Sequence, residues 1–443
     1  MRAQVVAAIA DAKDARDVRQ ATVAILREAQ DTGRQTIIDA FVADPFNARP
    51  TTRAFSWLTD QIVKEALYVA TNHLHPVSNP TSGELLSLIA VGGYGRGEMA
   101  PQSDVDLLFL TPYKITPWAE SVIESMLYIL WDLKLKVGHA SRTVKDCIRL
   151  AREDFTIRTS LVEYRHIAGD AALAVKLGDR LWTDLFQSTA PEFIDAKLAE
   201  RAERHRKQGG QRYMVEPNVK EGKGGLRDLQ SLYWIGKYVN GVKNASELVD
   251  HKVFTQDEYE TFRKAEDFLW AVRCHLHLLT KRPMDQLTFD LQVDVAARMG
   301  FEDGGGRRAV EHFMQAYFRR ATQVGELTRI FLTAQEAAHT KPAPMLERFF
   351  KRRKKAKPPY AILQNRITVA DVDAFLADPL NLLRIFEEAL RTGTLLHPDA
   401  MRLLSANLHL IDADVQSSKV AAKLFLGTML KHGNPERGLR RMN

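Results

Sequence analysis

The chain has 443 residues, 45% of them hydrophobic and 26% charged, with a formal net charge of +7. That length and apolar content support well-filled cores and argue against disorder, and no apolar run reaches the roughly 20 residues needed to span a bilayer. Cys147 and Cys274 lie far apart and outside any metal-ligand spacing, which predicts buried thiols in a reducing cytoplasm.

Residues 1–77 read as mostly helical, with an amphipathic stretch at 55–73 and no hydrophobic signal core at the start. A polar turn at 77–83 leads into the most informative segment. Its apolar run at 88–91 predicts a strand that breaks at Gly92-Gly93, where backbone can approach a ligand without a Cβ in the way. A turn follows, and Ser103-Asp104-Val105-Asp106 then opens a second apolar run at 107–110. In an extended chain Asp104 and Asp106 face the same way. Two carboxylates held together repel unless a cation relieves them. Oxygen ligands beside a Gly-Gly turn suggest Mg²⁺ carrying a nucleoside triphosphate.

The conjunction of strand, Gly-Gly, short gap, Ser-Asp-x-Asp and strand resembles the nucleotidyltransferase superfamily typified by polymerase β. The resemblance implies an α+β fold, a small mixed-sheet core embedded in a mainly helical chain. It also implies in-line transfer supported by two Mg²⁺ ions, typically about 3.5–4 Å apart. Asp104 and Asp106 would ligate metal, while Ser103 and the amides around Gly92 and Gly93 would hold the β- and γ-phosphates. Arg96 would add positive charge there or brace Glu98. The third carboxylate stays open between two positions. Asp132 stands at the entrance of a strand-like run at 133–143 that follows a helix at 117–131. Glu163 opens a second strand-like segment after a helical stretch at 144–159.

From 171 to 338 the pattern is helical apart from one Gly-rich interruption, Glu216-Pro217-Asn218-Val219-Lys220-Glu221-Gly222-Lys223-Gly224-Gly225-Leu226-Arg227-Asp228. Pro217 and three glycines preclude a helix, which resumes at Leu226. Glycines at a helix start expose N–H groups, so Lys220, Gly224, Gly225 and Arg227 are candidates to line the triphosphate or its base. The block Arg348-Phe349-Phe350-Lys351-Arg352-Arg353-Lys354-Lys355 follows two prolines and reads as a solvated basic linker, with contact to an acidic partner as the alternative. Aromatic platforms of the RNA-binding kind are not visible, so nucleic acid is an unlikely partner. The domain expectation is therefore a helical segment at 1–77, a nucleotidyltransferase core at 78–170, a helical domain at 171–338, a basic linker at 339–359 and a helical segment at 360–443.

Taken together, Gly92-Gly93-Tyr94-Gly95-Arg96-Gly97-Glu98, Ser103-Asp104-Val105-Asp106, Val137-Gly138-His139-Ala140-Ser141-Arg142-Thr143 and the Gly-rich segment resemble the bacterial PII uridylyltransferase/uridylyl-removing family. So does 282–292, read here as helical. The resemblance implies transfer of UMP from UTP to a tyrosine of the PII signalling protein. It carries Gly92, Gly93, Asp104 and Asp106 over as active-site positions, and Lys220, Gly224, Gly225, Arg227 and Asp228 as a family signature. Full-length members of that family continue into a His-Asp phosphohydrolase domain and glutamine-sensing domains. This chain has no His-Asp dipeptide, so the expectation is that it lacks the removing activity and direct glutamine control. The alternatives are another nucleotidyltransferase on this fold, such as an adenylyltransferase, or a non-enzymatic helical or nucleic-acid-binding protein.

Overall fold

In the computed structural model the described residues are 1–79, 81–242, 244–339, 356–363 and 366–430. The basic block at 348–355 therefore lies outside the described residues, as does 431–443. Two compact units are present, Met1–Gly325 and Glu326–Asn443.

The first unit is built around a four-stranded sheet. Its helices α1 (Arg2–Ile9), α2 (Ala15–Ala43) and α3 (Ala48–Val69) precede strand β1 (Ser87–Ala90), a one-turn helix α4 (Gly92–Gly95) and strand β2 (Val105–Thr111). Helix α5 (Pro117–Asp132) starts as its sequence dictates: Thr116 accepts from the Ala119 amide, and Pro117 occupies the first turn, where no N–H is needed. Strand β3 (Val137–Thr143) begins later than expected, because Leu133 and Lys134 close the helix, Lys134 with φ of 59°. The helical stretch that follows is two helices, α6 (Val144–Glu153) and α7 (Phe155–Val162), divided where Asp154 caps the second. Strand β4 (Arg165–Gly169) completes the sheet, in the order β3-β2-β1-β4. β1 is antiparallel to β2 and β4, and β2 is parallel to β3.

Alternation along the strands sorts the residues by face. Leu88 and Ala90 of β1 and Leu107 and Phe109 of β2 join Leu26, Phe55, Ile62, Met126 and Leu130 in one core beneath α1–α3 and α5. The segments at 1–77 and 78–170 thus share a core, because a sheet face needs helices to cover it. The opposite face carries Ile89, Asp106 and Leu108, with α8 (Ala171–Leu181) packed on that half of the unit.

Beyond it come α9 (Ala190–Lys207), α10 (Leu226–Asn240), α11 (Glu247–Asp250), α12 (Gln256–Thr280), α13 (Phe289–Arg298) and α14 (Ala309–His339). Residues 282–288, expected to be helical, form an extended connection before α13. Both cysteines are buried free thiols, each pushed up to about 12 by burial.

The described part of 360–443 is mainly helical, as expected, with one unforeseen element. It contains a small sheet of β5 (Tyr360–Leu363), β6 (Arg366–Val369) and β7 (Leu395–Leu396), with β6 in the middle. Ile367, Phe375, Leu382, Ile385, Leu396, Met401 and Leu404 fill its core. Among the described residues no helix is long and apolar enough to cross a membrane.

Candidate active site

The Gly-Gly turn and the paired carboxylates meet at the end of β1. The Val91 amide donates to the Asp106 carbonyl at 3.1 Å, which fixes the turn against the start of β2. Gly92 has φ of +60°, and a Cβ there would lie 3.3 Å from Asp106 Oδ2. On the other side Gly138, paired with Asp106 across β2 and β3, would place a Cβ 2.6 Å from Asp106 Oδ1. Two glycines therefore make room for one carboxylate.

Asp106 is half-buried and Asp104, one residue before the strand, is exposed. Among the described residues neither side chain takes a hydrogen bond or an ion pair. Burial, and then the neighbouring Asp104 charge, raise the Asp106 carboxyl above the ordinary carboxylate range, with Lys220 opposing them. A cation between the two would relieve this repulsion.

Ser103 lines the same cleft. Its hydroxyl oxygen accepts from the Ala100 amide at 2.9 Å, closing the turn before Asp104 while leaving the O–H free to donate. Arg96 is committed elsewhere. Its Nε donates to Glu98 at 3.1 Å and its Nη1 to both Glu163 oxygens at 2.6 Å, so it braces Glu98 and Glu163. Burial works against its charge, but the two carboxylates outweigh that and raise its pKa. Only Nη2 faces the Gly-Gly turn, 3.6 Å from where a Gly93 Cβ would stand.

Neither candidate for a third carboxylate joins the pair. Glu163 lines the cleft but is 2% exposed, caps the end of α7 rather than opening a strand, and has its carboxylate engaged by Arg96 and Trp234 Nε1. Asp132 is absent from the cleft and pairs with Arg19 at 3.2 Å. The neighbouring strand offers Gly138 beside Asp106, and among the described residues no group of three His, Cys, Asp or Glu could hold a metal.

The Gly-rich segment forms the second wall, by a different construction from the one its glycines suggest. The Leu226, Arg227 and Asp228 amides at the start of α10 donate to Val219, Lys220 and Gly225 carbonyls at 3.0, 2.9 and 3.1 Å. They are spent within the loop and cannot cradle a phosphate. Gly224 and Gly225 do not line the cleft; Cβ atoms there would lie 2.3 Å from the Ala321 carbonyl oxygen and 2.6 Å from that of Val219. They permit close backbone packing. Asp228 is fully buried, accepting from the Gly224 amide at 2.9 Å, Arg204 at 2.6 Å, His205 at 3.0 Å and Arg201 at 3.3 Å. Burial disfavours its charge, yet His205, Arg201 and Arg204 hold its carboxyl well below the usual range.

The loop delivers Lys220 and Arg227 into the cleft. It is pinned from outside: the Val219 amide donates to the Asp285 carbonyl at 2.8 Å and the Leu287 amide to the Pro217 carbonyl at 2.9 Å. Burial, then Arg273 and Arg227, push the Lys220 ammonium below the ordinary lysine range. Arg227 bonds to Gln230 at 2.9 Å and Glu221 at 3.1 Å and lies over the Trp234 ring at 5.2 Å.

Sequence reasoning missed Lys197, Trp234, Arg273 and Asp285, which line the same cleft of about 470 Å³. Asp285 accepts from Arg273 at 2.7 Å and faces His277 at 3.2 Å, while His277 Nδ1 accepts from the Gln102 amide at 3.2 Å. His277, fully buried, thereby ties the turn before Asp104 to α12. Only Asp285 lay within a segment that had drawn notice.

A family model described as GlnD PII-uridylyltransferase matches residues 192–332, and one described as the third domain of uridylyltransferase GlnD matches 360–443. The chain belongs to the GlnD uridylyltransferase family. Its relatives agree. A bifunctional uridylyltransferase/uridylyl-removing enzyme of Ruegeria pomeroyi is 65% identical over 441 residues, covering 100% of this chain and 48% of the relative. Enzymes of the same name from Cereibacter sphaeroides and Novosphingobium aromaticivorans are 62% and 46% identical, covering 97% and 96% of this chain and 46% and 47% of theirs. The chain thus spans about half the length of the GlnD relatives it matches. The two matched regions exclude the four-stranded sheet, so Asp104 and Asp106 rest on the geometry above.

Proposed function

We propose that the chain is a uridylyltransferase that moves UMP from UTP to a tyrosine hydroxyl of the PII nitrogen-signalling protein in the cytoplasm. One observation carries this reading: an unpartnered Asp104–Asp106 pair at the start of β2 shares a single cleft with Lys220, Arg227 and Arg273. Two unpaired carboxylates and a group of cations in one cleft suit a triphosphate with its metal. The choice of UTP over ATP, and of PII as acceptor, is supported by the names of the family and its relatives.

The oxygen-only donor set fits Mg²⁺, which Asp104 and Asp106 would hold with triphosphate oxygens completing the shell. Bound there, two such ions would supply Lewis-acid charge to the attacking and leaving oxygens. Lys220, Arg227 and Arg273 would balance charge on the β- and γ-phosphates, and Ser103 would donate its O–H to one of them. In the transfer the tyrosine oxygen bonds to the α-phosphorus as the bond to the bridging oxygen breaks. Diphosphate leaves and the phenolic proton passes to solvent. Trp234, held by Glu163, and the aliphatic stem of Lys197 would wall the nucleoside end.

Lys220→Ala should raise the UTP KM about ten- to a hundredfold, since a charge-assisted contact is lost. In the native protein kcat/KM for UTP, which reports the free enzyme, should fall on the alkaline side below the pH at which an ordinary lysine titrates. The sign follows from the lowered Lys220 pKa: the charge is present at neutral pH and lost early as pH rises. Steady-state kinetics against pH, repeated on Lys220→Ala, checks both. An unchanged KM would make the loop purely structural.

A further inference from the structure

Strand β3 is the edge of the catalytic sheet next to the strand that bears Asp106. In its parallel ladder the Val105 amide bonds to the Lys136 carbonyl. The same register turns the main-chain groups of Gly138 and Ala140 toward β2, and those of Val137, His139 and Ser141 outward. Among the described residues nothing hydrogen-bonds to that outer edge. A free edge of this kind is a template for another strand.

Its side chains are arranged by charge. On the face that carries Asp106, alternation places Lys136, Gly138, Ala140 and Arg142 in a row, two small residues between two cations. Neither Lys136 nor Arg142 makes an ion pair among the described residues. Of the nearby acids, Asp132 pairs with Arg19 at 3.2 Å, Asp146 accepts from the Thr143 hydroxyl at 2.7 Å, and Asp154, which feels the Arg142 charge, caps α7.

We infer that the outer edge of β3 docks an extended, tyrosine-bearing segment of the acceptor protein, flanked by acidic residues, as an added strand. This rests on the transferase reading proposed above. A segment so placed lies two strand spacings, about 9.6 Å, from β2. A tyrosine opposite Gly138 projects on the Asp106 face, and no side chain at Gly138 or beyond Cβ at Ala140 bars its way to the α-phosphorus. Lys136 and Arg142 meet the acidic flanks, and main-chain bonds to His139 and Ser141 hold the register.

The test pairs two variants with an exchange measurement on the full chain. Lys136→Glu/Arg142→Glu reverses both charges, the first exposed and the second half-buried, and His139→Pro removes one outward N–H at an edge position that tolerates proline. Each should raise the KM for PII protein about tenfold or more, leaving the UTP KM and the rate at saturating PII unchanged. Amides of 137–143 in the native chain should exchange more slowly when PII is added. Transfer with a native PII KM in both variants, and no protection in β3, overturns the docking site alone. Failure of the native chain to label PII at all overturns the transferase reading and this inference with it.

Discussion

Asp106→Asn and Asp104→Asn should each reduce transfer by at least about a thousandfold while leaving the fold intact. Asparagine keeps the shape of the side chain between Gly92 and Gly138 but removes the charge that would hold the cation. Stability provides a second readout, without Mg²⁺. Burial and Asp104 raise the folded-state pKa of Asp106, so its ionised form costs the fold something once pH passes the unfolded value of about 3.9. Asp106→Asn should therefore melt at the same temperature as the native chain or slightly higher at pH 7, with the difference vanishing in acid. Full turnover in both variants at saturating Mg²⁺ would contradict the metal assignment.

Asp228→Ala should show the opposite pattern. It strips the acceptor from Arg204, Arg201, His205 and the Gly224 amide at a fully buried position. Removing one partner of such a buried cluster costs about 3–5 kcal/mol. Because the folded-state pKa of Asp228 is depressed, its contribution is present above the unfolded value of about 3.9 and lost as pH falls through the folded one. Denaturant unfolding should show a large gap between native and variant at pH 7 that closes in strong acid. Where the alanine variant fails to fold, Asp228→Asn keeps some of the hydrogen bonds and should fall between the two. A loss under about 1 kcal/mol for Asp228→Ala would mean the loop is held by its backbone bonds alone.

The parts that were legible in the sequence have local causes. The strand, the Gly-Gly break and the Asp-x-Asp spacing are all set by neighbours within about twenty residues; β1 and β2 stand where the pattern puts them, and the break between them, read as a turn, begins with the one-turn helix α4. The Gly-rich loop was visible but its purpose was not. Gly224 is a glycine because the Ala321 carbonyl comes within 2.3 Å of where its Cβ would be, a contact made some hundred residues away. Glu163 looked like a strand-entrance acid. It is instead the residue that caps the C-terminal end of α7, buried against Arg96 and Trp234, and Arg96 is thereby withdrawn from the phosphates. Arg273 and Lys197 carried no signal, since single cations on amphipathic helices are ordinary until packing turns them into a cleft. The strands at 360–369 and 395–396 were hidden by brevity, at two to four residues each.

The measurement closest to the central claim is transfer of labelled UMP from UTP with Mg²⁺ to purified PII protein, with ATP and CTP in parallel and Asp104→Asn as the control. The proposed reading predicts label on a tyrosine of PII from UTP alone, abolished in the variant. Label from ATP or CTP in place of UTP would contradict the substrate, and label that survives Asp104→Asn would contradict the site.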